Sequence, residues 1–110
     1  MAEPNLTKNG DLDLRDLLKV LTSVRKGDFT VRMPEDLTGI GGKVADAFNS
    51  IIEQNERMVK DIERIGRLVG KEGKIDQRIN YESNLGSWSL AMEAVNNLVV
   101  DLTLPVSEMS

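Results

Sequence analysis

The sequence contains no cysteine and no histidine among its 110 residues. Without cysteine the chain forms no disulfide and offers no thiolate nucleophile. Without histidine it lacks the commonest acid–base side chain and a usual zinc ligand. Aromatic residues are also scarce, with one Trp, one Tyr and two Phe. Because Leu, Ile, Val, Ala and Met supply most of the apolar side chains, the composition favours helix over sheet.

Long apolar runs and an excess of positive charge are missing as well. No apolar stretch approaches the ~20 residues that cross a bilayer, and the first ten residues lack the apolar core of a signal peptide. The net charge of −4 disfavours binding to a phosphate backbone. We therefore expect a cytoplasmic, non-enzymatic module that binds no nucleic acid, does not insert into the membrane, and carries neither a metal nor a cofactor.

Apolar residues at helical spacing begin after a short leader. Residues 1–10 carry no apolar period, and we interpret them as flexible. The pattern starts at Leu12, with Asp11 as the predicted N-cap of a first helix and Gly27 as its predicted stop.

A second and longer period runs from Val44 to Val69 in a heptad-like register, which is typical of a coiled-coil seam. Asn55 is its one polar member, and a buried Asn in a coiled coil fixes register and strand number at a cost in stability. A final helix is predicted to end at Pro105. The residues predicted to form the core of a dimer are Leu14, Leu17, Leu21, Val24, Val44, Phe48, Ile51, Asn55, Met58, Ile62, Ile65, Val69, Ala91, Val95, Leu98 and Leu102. We call this set the seam.

The two halves of the sequence repeat. RKGDFTVRM at 25–33 aligns with KEGKIDQRI at 71–79, and VADAFNSII at 44–52 aligns with AMEAVNNLV at 91–99. The offsets are 46 and 47, so the second connector holds one more residue. Apolar and polar residues alternate in both connectors, which predicts extended segments that pack on the helices. The connector residues in this prediction are Gly27, Phe29, Val31, Met33, Gly73, Ile75, Ile79 and Trp88.

Asn49 and Asn96 occupy equivalent positions just beside the seam. Each either hydrogen-bonds to the connector backbone or is an exposed polar residue, and the repetition favours the first interpretation.

The order helix, extended connector, helix resembles the HAMP domain, a parallel two-helix signalling module of receptor kinases and chemotaxis receptors. Gly27-Asp28-Phe29 is similar to the start of the family's connector, G-D-[FL], and GIGGKVADAFNSII resembles its D-E-x-G-x-L-x-x-A-F-N pattern. VGKEGKI and LGSWSLAMEAVN resemble the divergent units of tandem arrays in hybrid histidine kinases. The resemblance covers residues 12–104.

This resemblance implies an all-α fold of two stacked HAMP units, residues 11–57 and 58–104, with 105–110 as a tail or the start of a next segment. Two helices per unit leave half of their apolar stripe uncovered, so pairing with an identical chain would close a parallel four-helix coiled-coil bundle. We expect a rod-shaped homodimer with one continuous helix, from about Lys43 to Val69, shared by the two bundles.

The expected function is a signal relay by helix rotation or repacking between adjoining input and output domains of a kinase or receptor. Because the chain has no histidine, a phosphoacceptor would lie elsewhere in the parent protein. Two alternatives stay open: a passive dimerisation scaffold, and a small ligand-sensing domain that uses the region around Trp88.

Overall fold

The computed structural model describes residues 11–74, 76–81 and 86–109, with side chains as far as Leu102. The predicted leader 1–10, the connector residue Ile75 and the last residue Ser110 lie outside the described residues. Within the described part the chain forms α-helices and no strand, which confirms the predicted all-α class. Helix α1 spans Leu14–Arg25, α2 spans Gly39–Ile65 and α3 spans Gly86–Met109, and a π-helical turn, Gly66–Lys71, follows α2.

The chain divides into two compact units. Unit 1 ends at Glu56 and unit 2 begins at Arg57. The boundary predicted between residues 57 and 58 lies one residue further along the chain. Helix α2 contains the last helical residues of unit 1 and the first of unit 2, and the helical backbone continues through the π-helical turn to Lys71.

Helix α1 begins one residue after Asp13, so the prediction of Asp11 as its N-cap is wrong. The Asp13 carboxylate accepts a hydrogen bond from the Arg15 N–H at 2.9 Å, and its carbonyl accepts one from the Leu17 N–H at 3.0 Å. Asp13 therefore satisfies a backbone donor that has no partner inside the first helical turn. Asp11 and Asp13 are both suitable N-cap residues by sequence. Only the position at which the helix begins shows which of the two caps it.

Gly27 ends α1 as predicted. Its φ of 93° is a left-handed conformation that favours glycine. The Gly27 N–H donates to the Val24 carbonyl at 2.9 Å, and the Asp28 N–H donates to the Ser23 carbonyl at 3.0 Å. This pair of bonds is a Schellman motif, which satisfies the last carbonyls of the helix.

Helix α3 does not end at Pro105, and the prediction of a stop there is wrong. The backbone stays helical to Met109, so the predicted tail 105–109 belongs to the helix. A proline removes one N–H donor, which costs one hydrogen bond in the last turns but does not end the helix here.

In unit 1 the core lies between α2 and the connector. Met33 from the connector is 2% exposed, and Ala45 and Ile52, which are one heptad apart on α2, are 0% and 2% exposed. Side chains one heptad apart lie on the same face of a helix. This face of α2 therefore carries the connector.

Unit 2 repeats this arrangement with a different set of apolar side chains. Ile79 from the connector, Met92 and Val99 on α3, and Ile65 on α2 form one buried cluster. Partly buried residues pack around it, namely Met58, Val69, Tyr81, Ala91 and Val95. Met92 and Val99 lie 47 positions after Ala45 and Ile52, so both units bury the same heptad pair.

Candidate functional site

Asn49 holds the connector of unit 1 by its backbone. Its Oδ1 accepts a hydrogen bond from the Met33 N–H at 2.7 Å, and its Nδ2 donates to the Met33 carbonyl at 3.0 Å. One amide thus satisfies both backbone groups of a residue whose side chain is buried. A buried backbone donor or acceptor without a partner is costly, so these bonds fix the position of the connector.

Asn96 does the same in unit 2. Its Oδ1 accepts from the Ile79 N–H at 2.8 Å, and its Nδ2 donates to the Ile79 carbonyl at 2.9 Å. The prediction that both asparagines bond to the connector backbone is confirmed, and the alternative of exposed polar residues is wrong. We call Asn49 with Met33, and Asn96 with Ile79, the asparagine clamps.

Unit 1 has a further connector contact, which the sequence pattern did not predict. The Arg32 guanidinium donates to the Phe29 and Val31 carbonyls at 2.8 and 2.7 Å, and its Nη2 lies 2.6 Å from Oε1 of Glu56. The equivalent arginine in unit 2 is Arg78, but Thr103 occupies the position equivalent to Glu56. The position that supplies the carboxylate in unit 1 therefore carries a hydroxyl side chain in unit 2.

The buried helix positions were also missed. The sequence predicts the core of a dimer at the seam. Within the described chain one seam residue, Ile65, is buried, and four other buried helix residues each follow a seam residue by one position. These residues are Ala45, Ile52, Met92 and Val99. The sequence does contain a pattern that predicts these buried positions. Each of the four residues forms a pair of adjacent apolar residues with the seam residue before it, and in each helix the pairs recur one heptad apart. Such a pair spans two adjacent helix faces, so α2 and α3 each have two apolar faces.

The seam of unit 1 is only partly covered. Leu14, Leu21 and Ile51 are exposed, with Leu14 at 72%. The other unit 1 members, all half-buried, are Leu17, Val24, Val44, Phe48 and Asn55. The Asn55 Nδ2 donates to the Ile51 carbonyl at 3.0 Å, which keeps its amide close to the helix.

The seam of unit 2 lines an open apolar groove. Ile65 is buried, and Leu98 and Leu102 are 63% and 57% exposed. The remaining unit 2 members are Met58, Val69, Ala91 and Val95, which are half-buried, and Ile62, which is exposed. A groove of about 310 Å³ has α3 on one side and, on the other, the last turns of α2 and the π-helical turn. Six seam residues line it: Ile62, Ile65, Val69, Val95, Leu98 and Leu102.

The connector residues occupy several environments. Met33 and Ile79 are buried, Phe29 and Val31 are half-buried, and Gly27 and Gly73 are exposed at the two helix ends. Trp88 is half-buried on α3 and lines an open cleft of about 660 Å³ together with Met58 and Ala91.

The electrostatics of the described residues are those of a solvated surface. No polar or charged side chain among them is buried. Hydrogen bonds from the Thr30 hydroxyl and the Thr30 N–H hold the pKa of Asp28 below its ordinary value of 3.8. No three potential metal-ligating side chains cluster within the described ranges. Among the helices described, none is long and apolar enough to span a membrane.

Comparison with models of known protein families finds no match, and no solved structure matches the chain. The candidate site therefore rests on the geometry of the two units alone. Its parts are the uncovered seam and the asparagine clamps.

Proposed function

We propose that the chain is a dimeric signal-relay module made of two HAMP-like units, in which a second copy covers the seam. The observation that carries the proposal is the pair of apolar faces on α2 and α3. One face of each helix is buried within the chain, at Ala45 and Ile52 on α2 and at Met92 and Val99 on α3. The neighbouring face, the seam, is only partly covered: six of its sixteen residues are exposed, nine are half-buried and one is buried.

A second copy is the occupant that this surface favours. Each unit holds only about half of a 110-residue chain, and domains of that size bury too little apolar surface to be very stable alone. The seam has heptad spacing along the whole of α2, which is the pattern of helices that pair with helices. A two-fold dimer presents the same patch twice, so a parallel pair brings each seam residue close to its own copy.

The relay itself follows from the shared helix. Helix α2 supplies the second helix of unit 1 and the first helix of unit 2. A rotation or tilt of α2 that begins in unit 1 would therefore reach the seam of unit 2. Two packings that differ by a few kcal/mol are enough for a ligand or a neighbouring domain to shift the population.

The asparagine clamps favour a relay over a passive scaffold. A coiled coil that only dimerises needs heptads and no connector, yet this chain fixes two connectors with paired backbone bonds. The clamps keep each connector attached to its helix while the seam face remains available to repack. Substitutions in the seam that change the output of a fused kinase without changing dimerisation would separate the two functions.

Single cysteines test the dimer directly, because the natural chain has none. Ile51→Cys places a thiol on the seam and Glu53→Cys places one on the exposed side of the same helix. In a parallel dimer, oxidation should link Ile51→Cys chains rapidly and Glu53→Cys chains slowly. Equal rates for both variants, together with a 12.2 kDa species in sedimentation, would contradict the dimer.

Ligand sensing is the second candidate, and the apolar cleft beside Trp88 favours it. A small apolar molecule bound there would shift the emission of the single tryptophan and raise the melting temperature. The dimer predicts instead that this cleft is covered, because Met58 and Ala91 belong to the seam. Titration of Trp88 fluorescence with small apolar probes would then leave the emission unchanged.

A further inference from the structure

The end of the first helix in unit 2 repeats the end of α1 with wider hydrogen-bonded turns. In unit 1 the Lys26 N–H donates to the Thr22 carbonyl at 3.3 Å, and the Asp28 N–H donates to the Ser23 carbonyl at 3.0 Å. In unit 2 the corresponding bonds run from Glu72 to Arg67 at 3.2 Å and from Lys74 to Leu68 at 2.8 Å. Each unit 2 bond spans one residue more than its unit 1 counterpart.

The aligned sequences place the extra residue in the same turn. Before the turn, the seam residues Leu17 and Val24 align with Ile62 and Val69 at an offset of 45. After it, Gly27 aligns with Gly73 at an offset of 46. The offset changes between Val69 and Gly73, which overlaps the six-residue π-helical turn Gly66–Lys71.

From these two observations we infer that the π-helical turn is a one-residue insertion that sets the phase between α2 and the connector of unit 2. A π-helical turn accommodates one additional residue within a helix by widening the backbone ring. In a regular α-helix the same residue would turn everything after it by ~100°. The wide turn absorbs that rotation, so Gly73 still ends the helix and Ile79 still reaches Asn96.

The π-helical turn is also the place where the rotation between α2 and the connector of unit 2 can change with little loss of packing. Gly66 and Gly70 lie within it, and outside the adjoining helix backbone no atom comes within 4 Å of where a Cβ on either would sit. Residues Arg67, Gly70 and Lys71 are exposed, whereas Val69 packs against the buried cluster, so a change between α and π geometry there would move one packed side chain. A rotation that arrives along α2 can then be taken up before the connector. This role in the relay rests on the proposed function, whereas the insertion itself does not.

Deleting Gly70 from the full chain tests the inference. Without the additional residue, the helix should continue as a regular α-helix to Gly73 and end in the same hydrogen-bonded turn as α1. We expect the Ile79 N–H to keep its protection from hydrogen exchange, and the melting temperature to stay within about 4 °C of the natural chain or to rise.

Deletion of Arg25 is the matched control, since this exposed residue lies in the equivalent turn of α1, which has no surplus residue. It should displace Gly27 around the helix, expose the Met33 N–H to exchange, and lower the melting temperature by about 8 °C or more. Loss of Ile79 protection in the Gly70 deletion, or equal tolerance of both deletions, would overturn the inference. A monomer in sedimentation would overturn the proposed dimer and leave the insertion unaffected.

Discussion

Unit 1 and unit 2 hold their connectors with the same amide contact but stabilise the surroundings differently. Unit 1 buries the small side chain of Ala45 and adds the ion pair of Arg32 with Glu56. Unit 2 places Met92 at the position of Ala45 and brings Ile65 into the buried cluster. The comparison indicates that the clamp and the heptad pair define the repeated fold. Charge and side-chain volume are then free to differ between the units.

The largest expected effect is on the apolar core of unit 2. Met92→Ala removes a side chain that is 0% exposed, and it should destabilise unit 2 by about 2–5 kcal/mol. Leu90→Ala, two residues earlier and 66% exposed, should change stability by no more than about 0.5 kcal/mol. Chemical denaturation followed by far-ultraviolet circular dichroism measures both. Similar costs for the two variants would contradict the role of Met92 in the core of unit 2.

The asparagine clamps should be equivalent in the two units. Asn49→Ala and Asn96→Ala each remove a donor and an acceptor from a connector residue whose side chain is buried, and each should cost about 2 kcal/mol. Asn97→Ala, on the exposed side of α3, is the matched control and should be close to neutral. Hydrogen exchange at Met33 and Ile79 locates the loss. A cost confined to one variant would mean that the clamp is not a shared element of the fold.

The ion pair of Arg32 with Glu56 should contribute to the stability of unit 1. Glu56→Thr gives unit 1 the residue that unit 2 has at the equivalent position, and it should cost about 1 kcal/mol at low salt. High salt should reduce this difference, because the Arg32 and Glu56 side chains remain 31% and 23% exposed. Glu53→Thr, an exposed residue on the same helix, serves as the control. If both variants lose the same stability, the contact contributes nothing specific to unit 1.

The smallest expected effect is a dependence of unit 1 on acid. The folded pKa of Asp28 is lowered by hydrogen bonds from Thr30, so its ionised form stabilises unit 1 at pH values above the ordinary pKa of 3.8. That contribution is lost as the pH falls through the folded pKa. Unit 2 has Lys74 at the equivalent position and lacks the effect. The difference in melting temperature between the natural chain and Asp28→Asn should therefore shrink toward zero below pH 3.8, and a constant difference would contradict it.

The repeat made much of this architecture predictable. Helical periods predicted all three helices, and the matching positions of Asn49 and Asn96 predicted both clamps. The choice of face was harder, because Ile51 and Ile52 are equally apolar and only the packed connector shows which one it covers. The N-cap at Asp13 and the helix through Pro105 depend on backbone geometry, which local preferences do not decide. The π-helical turn could be identified as an insertion only by comparing the hydrogen bonds of the two units as well as their aligned residues.

Insertions after Asn55 test the shared helix, on which the relay depends. Each residue turns an α-helix by ~100°, so two inserted residues would turn the seam of unit 2 by ~200° relative to that of unit 1. Seven would restore it to within ~20°. The account predicts that thermal unfolding of the natural chain and the seven-residue variant is a single transition, and that the two-residue variant unfolds in two separate transitions. Identical unfolding of the two insertion variants would contradict the coupling of the units through α2.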